Sequence, residues 1–410
     1  MAQAAATAVL RHNLDGADPH SHWISAFRAV RAETERRCAF LTPEDQVVQS
    51  MPDASPAKWH RAHTTWFFEQ FLLKAHGAGE VFDERFAFLF NSYYVAAGPR
   101  HARPQRGLVT RPAVPEVAAY RAHVDAAVEA LIEDADDVTL SAIAQILEIG
   151  LNHEQQHQEL ILTDILHAFA QNPTAPVYDP AWRMPMAHGG GQNFVPLPSG
   201  IHAIGHDGDG FSFDNETPRH EVLLHEASIG RGLVTNAQWL EFIADGGYSS
   251  PSLWLSDGWT HVQNEGWEAP GYWRQDDGQW HVFTLGGLRP VDPHAPVCHV
   301  SYYEADAFAR WAGCDLPTEQ EWEVAARDGL IDDAHGIVWQ WTRSAYSPYP
   351  GYRPVEGALG EYNGKFMINQ MVLRGSSLAT PGGHARNTYR NFFHPPSRWQ
   401  FSGLRLLSYS

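Results

Sequence analysis

The sequence predicts an α+β protein in two parts: a helical N-terminal region, then a loop-rich region of short strands. Three observations predict it. Residues 20 to 170 carry apolar positions at helical spacing, with few Gly or Pro inside the runs. After about residue 195, short β-like stretches alternate with Gly, Pro, Asn and Asp turns. The 15 Trp, 14 Tyr and 34 Gly are concentrated in that second half, which points to a loop-rich fold there.

The elements follow in order. His22 to Arg37 reads as a first helix, closed before Thr42-Pro43. Pro56 stands at a first-turn position for a second, running to about Ala75. Pro112-Ala113-Val114-Pro115 opens a third, with apolar positions through Leu131. The fourth begins near Val138, and its stretch Leu140 to Phe169 contains no Pro and only Gly150. Four helices joined by loops suggest an antiparallel bundle, and bundles commonly build metal sites from facing helices. The connection from about Phe82 to Arg111 is long. It holds Asn91-Ser92-Tyr93-Tyr94 and then Arg100, Arg103, Arg106 and Arg111, and long ordered loops are often functional. The Pro- and Gly-rich stretch Gln171 to Gly191 reads as a linker. Beyond it, Glu221-Val222-Leu223-Leu224, His281-Val282-Phe283 and Met371-Val372-Leu373-Arg374 read as strands. Asn236 to Ala244 and Ser301 to Ala312 read as short helices. The expected division is a bundle over 1–175, a linker over 176–195 and a second domain over 196–410.

Composition narrows the function classes. A chain of 410 residues that is 44% hydrophobic and 19% charged has ample core and is not disordered. No run approaches the roughly 18 apolar residues of a membrane span. A net charge of -19 argues against nucleic acid as a partner. The Ala-rich segment Met1 to Leu10 lacks the charged start and long apolar core of a signal peptide. Cys38, Cys298 and Cys314 form no Cys-x-x-Cys and no even framework, which fits a reducing cytoplasm.

The fourth helix carries His153-Glu154-Gln155-Gln156-His157-Gln158-Glu159. Two histidines four residues apart lie one turn above each other on one helix face, a common way to offer two imidazoles to one metal. A chain with 23 His has such pairs by chance. Here Leu147, Leu151, Leu160, Ile161 and Ile165 give the helix a substantial buried surface. A buried imidazole needs a partner, and a metal satisfies two neighbours at once. A third candidate, His60 or His63, lies in Lys58-Trp59-His60-Arg61-Ala62-His63-Thr64-Thr65-Trp66-Phe67-Phe68. Three imidazoles without a thiolate make a borderline-hard, mononuclear, catalytic type of site. Gln156 is spaced to face the same site, whereas Glu159 falls on roughly the opposite side of the helix.

These segments carry a family likeness. The run Ala57 to Glu69, with the His153/His157 helix, resembles the DinB-type bundle of the ergothioneine-type sulfoxide synthases. The second half is similar to the formylglycine-generating-enzyme fold, a C-type-lectin-like variant. It does so through Phe213-Asp214-Asn215-Glu216-Thr217-Pro218-Arg219-His220, Val297 to Ala307, Leu316-Pro317-Thr318-Glu319-Gln320-Glu321-Trp322-Glu323, and Trp399 to Arg405. The likeness covers nearly the whole chain. It implies one Fe(II) held by His63, His153 and His157, with His60 as the rival for the first place. It also implies that O2 is used to join a thiol, cysteine or γ-glutamylcysteine, to C2 of the imidazole of hercynine, leaving a sulfoxide. The selenoneine synthases of the same group use a selenosugar instead. The pattern assigns a proton- or electron-donating phenol to Tyr93 or Tyr94. Hercynine contacts fall on Gln156, Asn391, Phe392 and Phe393, the rings facing the trimethylammonium. Arg103 is assigned to a carboxylate of the donor. Adjacent tyrosines in an extended segment point to opposite sides, so only one of the pair is expected to face the iron.

The chain departs from the family at Gly336-Ile337-Val338-Trp339-Gln340-Trp341, where Gly-Asn-Val-Trp-Glu-Trp is usual, at Arg374-Gly375-Ser376-Ser377-Leu378, at Pro381-Gly382-Gly383-His384, and at Arg61. Two other classes stand beside the iron reading: a zinc-dependent DinB-type thiol transferase, and a non-catalytic binding protein built on the lectin-like domain. Formylglycine generation itself needs a reactive cysteine pair, and Cys298 and Cys314 lie in structural segments.

Overall fold

A computed structural model describes residues 18–186, 193–208, 210–354 and 363–409. The segment Met1 to Leu10, on which the leader expectation rests, and residues 187–192 of the expected linker lie outside the described residues. The chain divides into two compact units. Of the described residues, the first unit holds 18–178 and Ala379–His384, and the second holds the rest.

The first unit is built on four long helices: α1 (Pro19–Cys38), α2 (Ala57–Phe68), α3 (Val114–Asp134) and α4 (Asp137–Ala170). Their starts follow from local chemistry. The Asp18 carboxylate accepts from the Ser21 N–H, with Pro19 in the first turn of α1. Asp136 caps α4 through the Thr139 N–H, and Glu116 reaches back to the Ala113 N–H at the start of α3. The second predicted helix is one helical run with a change of winding. All twelve residues of α2 are buried. The run then widens into a π-turn over Glu69–Leu73, tightens over Lys74–His76, and ends where Gly77 takes a left-handed φ of 62°. Helices α1 and α2 both pack on α4 and on α3.

Gly150 in α4 has a packing reason. A Cβ there would lie 2.5 Å from Cε1 of Phe68 and 3.0 Å from Cε1 of Phe67. Glycine costs a helix about 1 kcal/mol relative to alanine, and here its absence of side chain lets the two phenylalanines of α2 press against α4.

The second unit is a set of small sheets stitched by helices. Strands β1 (Phe194–Pro196), β4 (Ser228–Gly230) and β12 (Leu407–Ser408) form one sheet, and β2 (Gly200–Ile204) pairs with β3 (His220–Leu224). A three-stranded meander runs β5 (Trp273–Asp276), β6 (Gln279–Thr284), β7 (Gly287–Pro290). The largest sheet has the order β10 (Asn391–Phe393), β9 (Met371–Gly375), β8 (Trp339–Ala345), β11 (Ser402–Gly403). The pairs β10–β9 and β9–β8 are antiparallel, and β11 pairs with β8 in parallel.

Four helices accompany the sheets: α5 (Asn236–Ala244), α6 (Ser256–Glu265), α7 (Tyr302–Trp311) and α8 (Glu319–Arg327). The predicted helices at 236 and 301 are present, and α6 and α8 are two further helices that the sequence reading does not assign. Helix α8 packs on β2, β3, β8 and β9. Its acidic residues take buried guanidinium partners, Glu319 with Arg390 and Glu323 with Arg374, which satisfies charges that burial alone would penalise.

The Gln340 departure lies in this interior. Its Oε1 accepts from Trp322 Nε1 (2.7 Å) and Arg405 Nε (3.2 Å), and its Nε2 donates to the carbonyls of Asp333 and Ala334. An amide suits that mixture of donors and acceptors, whereas a carboxylate would face two carbonyls.

Candidate metal centre

Helices α2 and α4 bring three histidines together. Ring nitrogens of His63, His153 and His157 all lie within 4.8 Å of one another. His63 is fully buried, His153 is 1% exposed and His157 9% exposed. The pairing follows from helix geometry: His153 and His157 stack one turn apart on α4, and His63 meets them from α2.

Burial is the largest influence on all three rings. It holds His153 down to about 3 and His63 and His157 well below the usual histidine range, with the neighbouring rings adding to the effect. At neutral pH they are uncharged imidazoles with lone pairs, the state a metal requires. His63 donates from Nδ1 to the Phe90 carbonyl at 2.6 Å, and its Nε2 has no hydrogen-bond partner among the described residues. A buried acceptor left this way is costly unless something binds it. The donor set therefore fits a divalent transition metal.

His60 lies on the same helix but is engaged elsewhere. Its Nδ1 is 2.7 Å from Nδ1 of His157, and its Nε2 is 3.0 Å from Oδ2 of Asp164. Below the cluster, Glu154 is fully buried. Its carboxylate accepts from Arg31, Arg121 and the Thr34 hydroxyl. Burial would raise its pKa, but Arg31 and Arg121 overcome that and bring it to about 2. Arg31 also donates to Thr65 of α2 and to Asp125 of α3. One carboxylate thus ties α4 to α1, α2 and α3 beside His153.

The tyrosines depart from the expected alternation. Asn91 accepts from the Tyr94 N–H and donates to the carbonyls of Tyr94 and Gly98. This side chain–backbone turn curls the segment, so both rings fall on the same side. They stack at 4.6 Å, with Tyr94 fully buried and Tyr93 half-buried. Trp66 links them to the cluster, its ring 5.7 Å from Tyr94 and 5.5 Å from His63.

The arginines sort clearly. Arg103 is exposed and donates to the Asp53 carbonyl. Arg106 is 4% exposed. It lies 3.4 Å over the Trp59 ring and donates to the hydroxyls of Ser55 and Ser92. Among the described residues no carboxylate pairs with it, and its Nε has no partner. Burial, then Arg103, push it down to about 8. Trp59 also stacks on His63 at 4.6 Å, so Arg106 belongs to the surroundings of the cluster. Its position relative to Arg103 was visible in the sequence; its burial was not.

The remaining predicted residues are placed as follows. Gln156 is half-buried on α4, and Glu159 accepts from the Thr380 hydroxyl. Asn391, Phe392 and Phe393 form β10 in the second unit. Phe392 stacks on Tyr346 at 4.0 Å, with Phe366 at 6.3 Å, so its ring is part of a packed aromatic stack. Phe393 meets Trp399 edge-on. The Pro381-Gly382-Gly383-His384 departure belongs to the first unit. There His384 Nδ1 lies 3.2 Å from Asn152 Oδ1 and 3.1 Å from Gln155 Oε1. Arg61, another departure, pairs with Glu35 and donates to Gln46. Burial pushes the Cys298 thiol far above its ordinary value, and no helix of the described residues is long and apolar enough to cross a membrane.

Residues 26–161 match the DinB superfamily, and residues 184–334 match the sulfatase-modifying factor enzyme 1-like domain. A hercynine oxygenase of Mycobacterium tuberculosis is 30% identical over 432 aligned positions, covering 92% of this chain and 96% of the relative. A hercynine oxygenase of Mycolicibacterium smegmatis is 33% identical over 305 positions, covering 62% of this chain and 70% of that one. A formylglycine-generating enzyme of Streptomyces coelicolor is 37% identical over 148 positions, covering 33% of this chain and 47% of that one.

Proposed function

Because the chain belongs to the hercynine oxygenase family of ergothioneine-type sulfoxide synthases, we propose that it is an Fe(II)-dependent enzyme of the cytoplasm that uses O2 to join a thiol to C2 of hercynine. The observation that carries this reading is the cluster of three uncharged, buried imidazoles within 4.8 Å, in a chain whose hercynine oxygenase relative covers 92% of it. A permanently cationic trimethylammonium and a thiolate are the substrate chemistry; no group in the reading requires a macromolecular partner.

Three neutral donors leave a metal with open positions, and a bound Fe(II) ion would supply O2 activation and a common meeting point for thiolate and imidazole. His63, His153 and His157 are the residues to hold it. The other named groups act as protein groups do. Trp59, Trp66 and Phe67 line the cluster with apolar rings and keep water from the donors. Tyr94 holds a phenol proton one aromatic layer from His63, through Trp66, with Tyr93 stacked on it. Arg106 is poised for an anionic group, and a buried guanidinium gains most from a carboxylate. That favours a carboxylate-bearing donor, cysteine or γ-glutamylcysteine, over a selenosugar. The Gln340 departure sits among core hydrogen bonds and does not favour either donor.

The test is reconstitution. The full chain is loaded anaerobically with Fe(II), given hercynine and one donor at a time, and exposed to O2. Uptake of O2 with a sulfoxide conjugate of cysteine or γ-glutamylcysteine in the mass spectrum is the expected result. Product from a selenosugar alone would reassign the donor. Stoichiometric zinc without O2 uptake would move the chain to the thiol-transferase class.

A further inference from the structure

His63 and His157 are each gripped at Nδ1, and by different chemistry. His63 Nδ1 donates to a backbone carbonyl, that of Phe90. His157 Nδ1 instead meets a side chain that leads on to a carboxylate. The chain of contacts runs Asp164 Oδ2 to His60 Nε2 at 3.0 Å, then His60 Nδ1 to His157 Nδ1 at 2.7 Å. Asp164 is itself fixed, its Oδ2 accepting from the Ser55 N–H at 2.7 Å. All of these groups are at least nine-tenths buried, His60 at 2% and Asp164 at 7% exposure, and all lie in the first unit.

The hydrogens follow by elimination. An ionised carboxylate only accepts, so the hydrogen between Asp164 and His60 sits on His60 Nε2. A neutral imidazole carries one N–H, so His60 Nδ1 is an acceptor. The short contact to His157 then needs its hydrogen on His157 Nδ1. That leaves His157 Nε2 as a lone pair. His60 cannot serve as a ligand in this arrangement, because both of its nitrogens are engaged.

We propose that Asp164 and His60 are positioning residues: a carboxylate–imidazole relay that sets the tautomer and orientation of His157 and makes its Nε2 a stronger donor toward a divalent metal. The relay rests on the reading of His63, His153 and His157 as ligands. Partners on the far nitrogen of a ligating histidine fix its ring and raise its basicity, and a negative charge at the end of the chain polarises both rings in the same direction.

The experiment is an anaerobic competition titration of the full chain with Co(II), with the absorption spectrum of the bound ion recorded alongside. Parent, His60→Leu, His60→Gln and Asp164→Asn are compared, and thermal melting in chelator reports folding without metal. The parent is expected to bind one Co(II). His60→Leu, which leaves the His157 N–H buried without an acceptor, is expected to bind it roughly 10–100-fold more weakly with a shifted spectrum. His60→Gln keeps an acceptor oxygen and is expected to recover most of the affinity. Asp164→Asn keeps the contact but loses the charge and is expected to fall between. Parent affinity and parent spectrum in His60→Gln, His60→Leu and Asp164→Asn alike would overturn the relay while leaving the metal site standing. Equal weakening in Gln and Leu would also overturn it, since the acceptor would then be irrelevant. Absence of Co(II) binding by the parent would overturn the ligand assignment itself.

Discussion

The phenol oxygens of Tyr93 and Tyr94 lie 3.5 Å apart, although the residues are neighbours in sequence. The two phenols are therefore expected to share a role, where an extended segment would have assigned it to one of them. Phe at either position is expected to keep hercynine binding, lower coupling, and raise oxidation of the thiol to a sulfinate. The double variant is expected to exceed both. Product ratios by mass spectrometry decide, and parent ratios in all three variants would place the proton or electron source elsewhere.

Removing a ligand should remove the metal. His63→Ala, His153→Ala and His157→Ala are each expected to drop iron content per chain to background and activity with it, as read by elemental analysis. Full iron occupancy in His157→Ala would discard this site.

Arg106 and Arg103 should separate kinetically. Arg106→Leu is expected to raise the KM for a carboxylate-bearing thiol by about 10-fold or more, from a charge-assisted bond worth about 1.5–3 kcal/mol, with little change for hercynine. Arg103→Leu is expected to stay within about twofold, because an exposed contact to a carbonyl contributes little. The reverse ranking would make Arg103 the donor contact.

Glu154 makes acid stability predictable. Its folded pKa, about 2, lies below the unfolded value of roughly 4.3. Its contribution is fully present above the unfolded value and is lost as pH falls from there through about 2. In chelator, Glu154→Gln is expected to cost about 3 kcal/mol at neutral pH, because Arg31 and Arg121 lose a buried partner. The variant should also lose less stability than the parent between pH 4.3 and 2. Denaturant midpoints against pH measure both. Parallel curves would show that Glu154 is not ion-paired in solution.

What the sequence disclosed was governed by local rules. The His153/His157 face follows from helical period alone, and prolines mark the starts of the second and third helices, whereas the Asp18 cap begins the first at Pro19, ahead of the expected His22. The bend at Tyr93 was written in Asn91, but a side chain that turns its own backbone competes with an extended reading and was passed over. Helix α8 announces itself in Thr318 and Glu321, which cap each other reciprocally. Helix α6 does not: Gly258 sits in its first turn, where a Cβ would lie 2.9 Å from that of Tyr303, so close packing chose a residue that speaks against a helix. The roles of His60, Glu154 and Asp164 depend on which helix lies opposite, and periodicity carries no such information. Arg106 differs from Arg103 only in what covers it.

The placement of Ala379–His384 has a consequence for synthesis. His384 meets Asn152 from 232 residues further along the chain, and Arg37 of α1 donates to the Ala379 carbonyl. A ribosome releases the four helices long before it makes the segment that meets the helix carrying His153 and His157. Contacts so distant in sequence close late and slowly, so the nascent bundle waits with one flank of α4 bare. An excised fragment ending at Tyr178 would lack Ala379–His384, which belong to the same compact unit, and would stay in that waiting state.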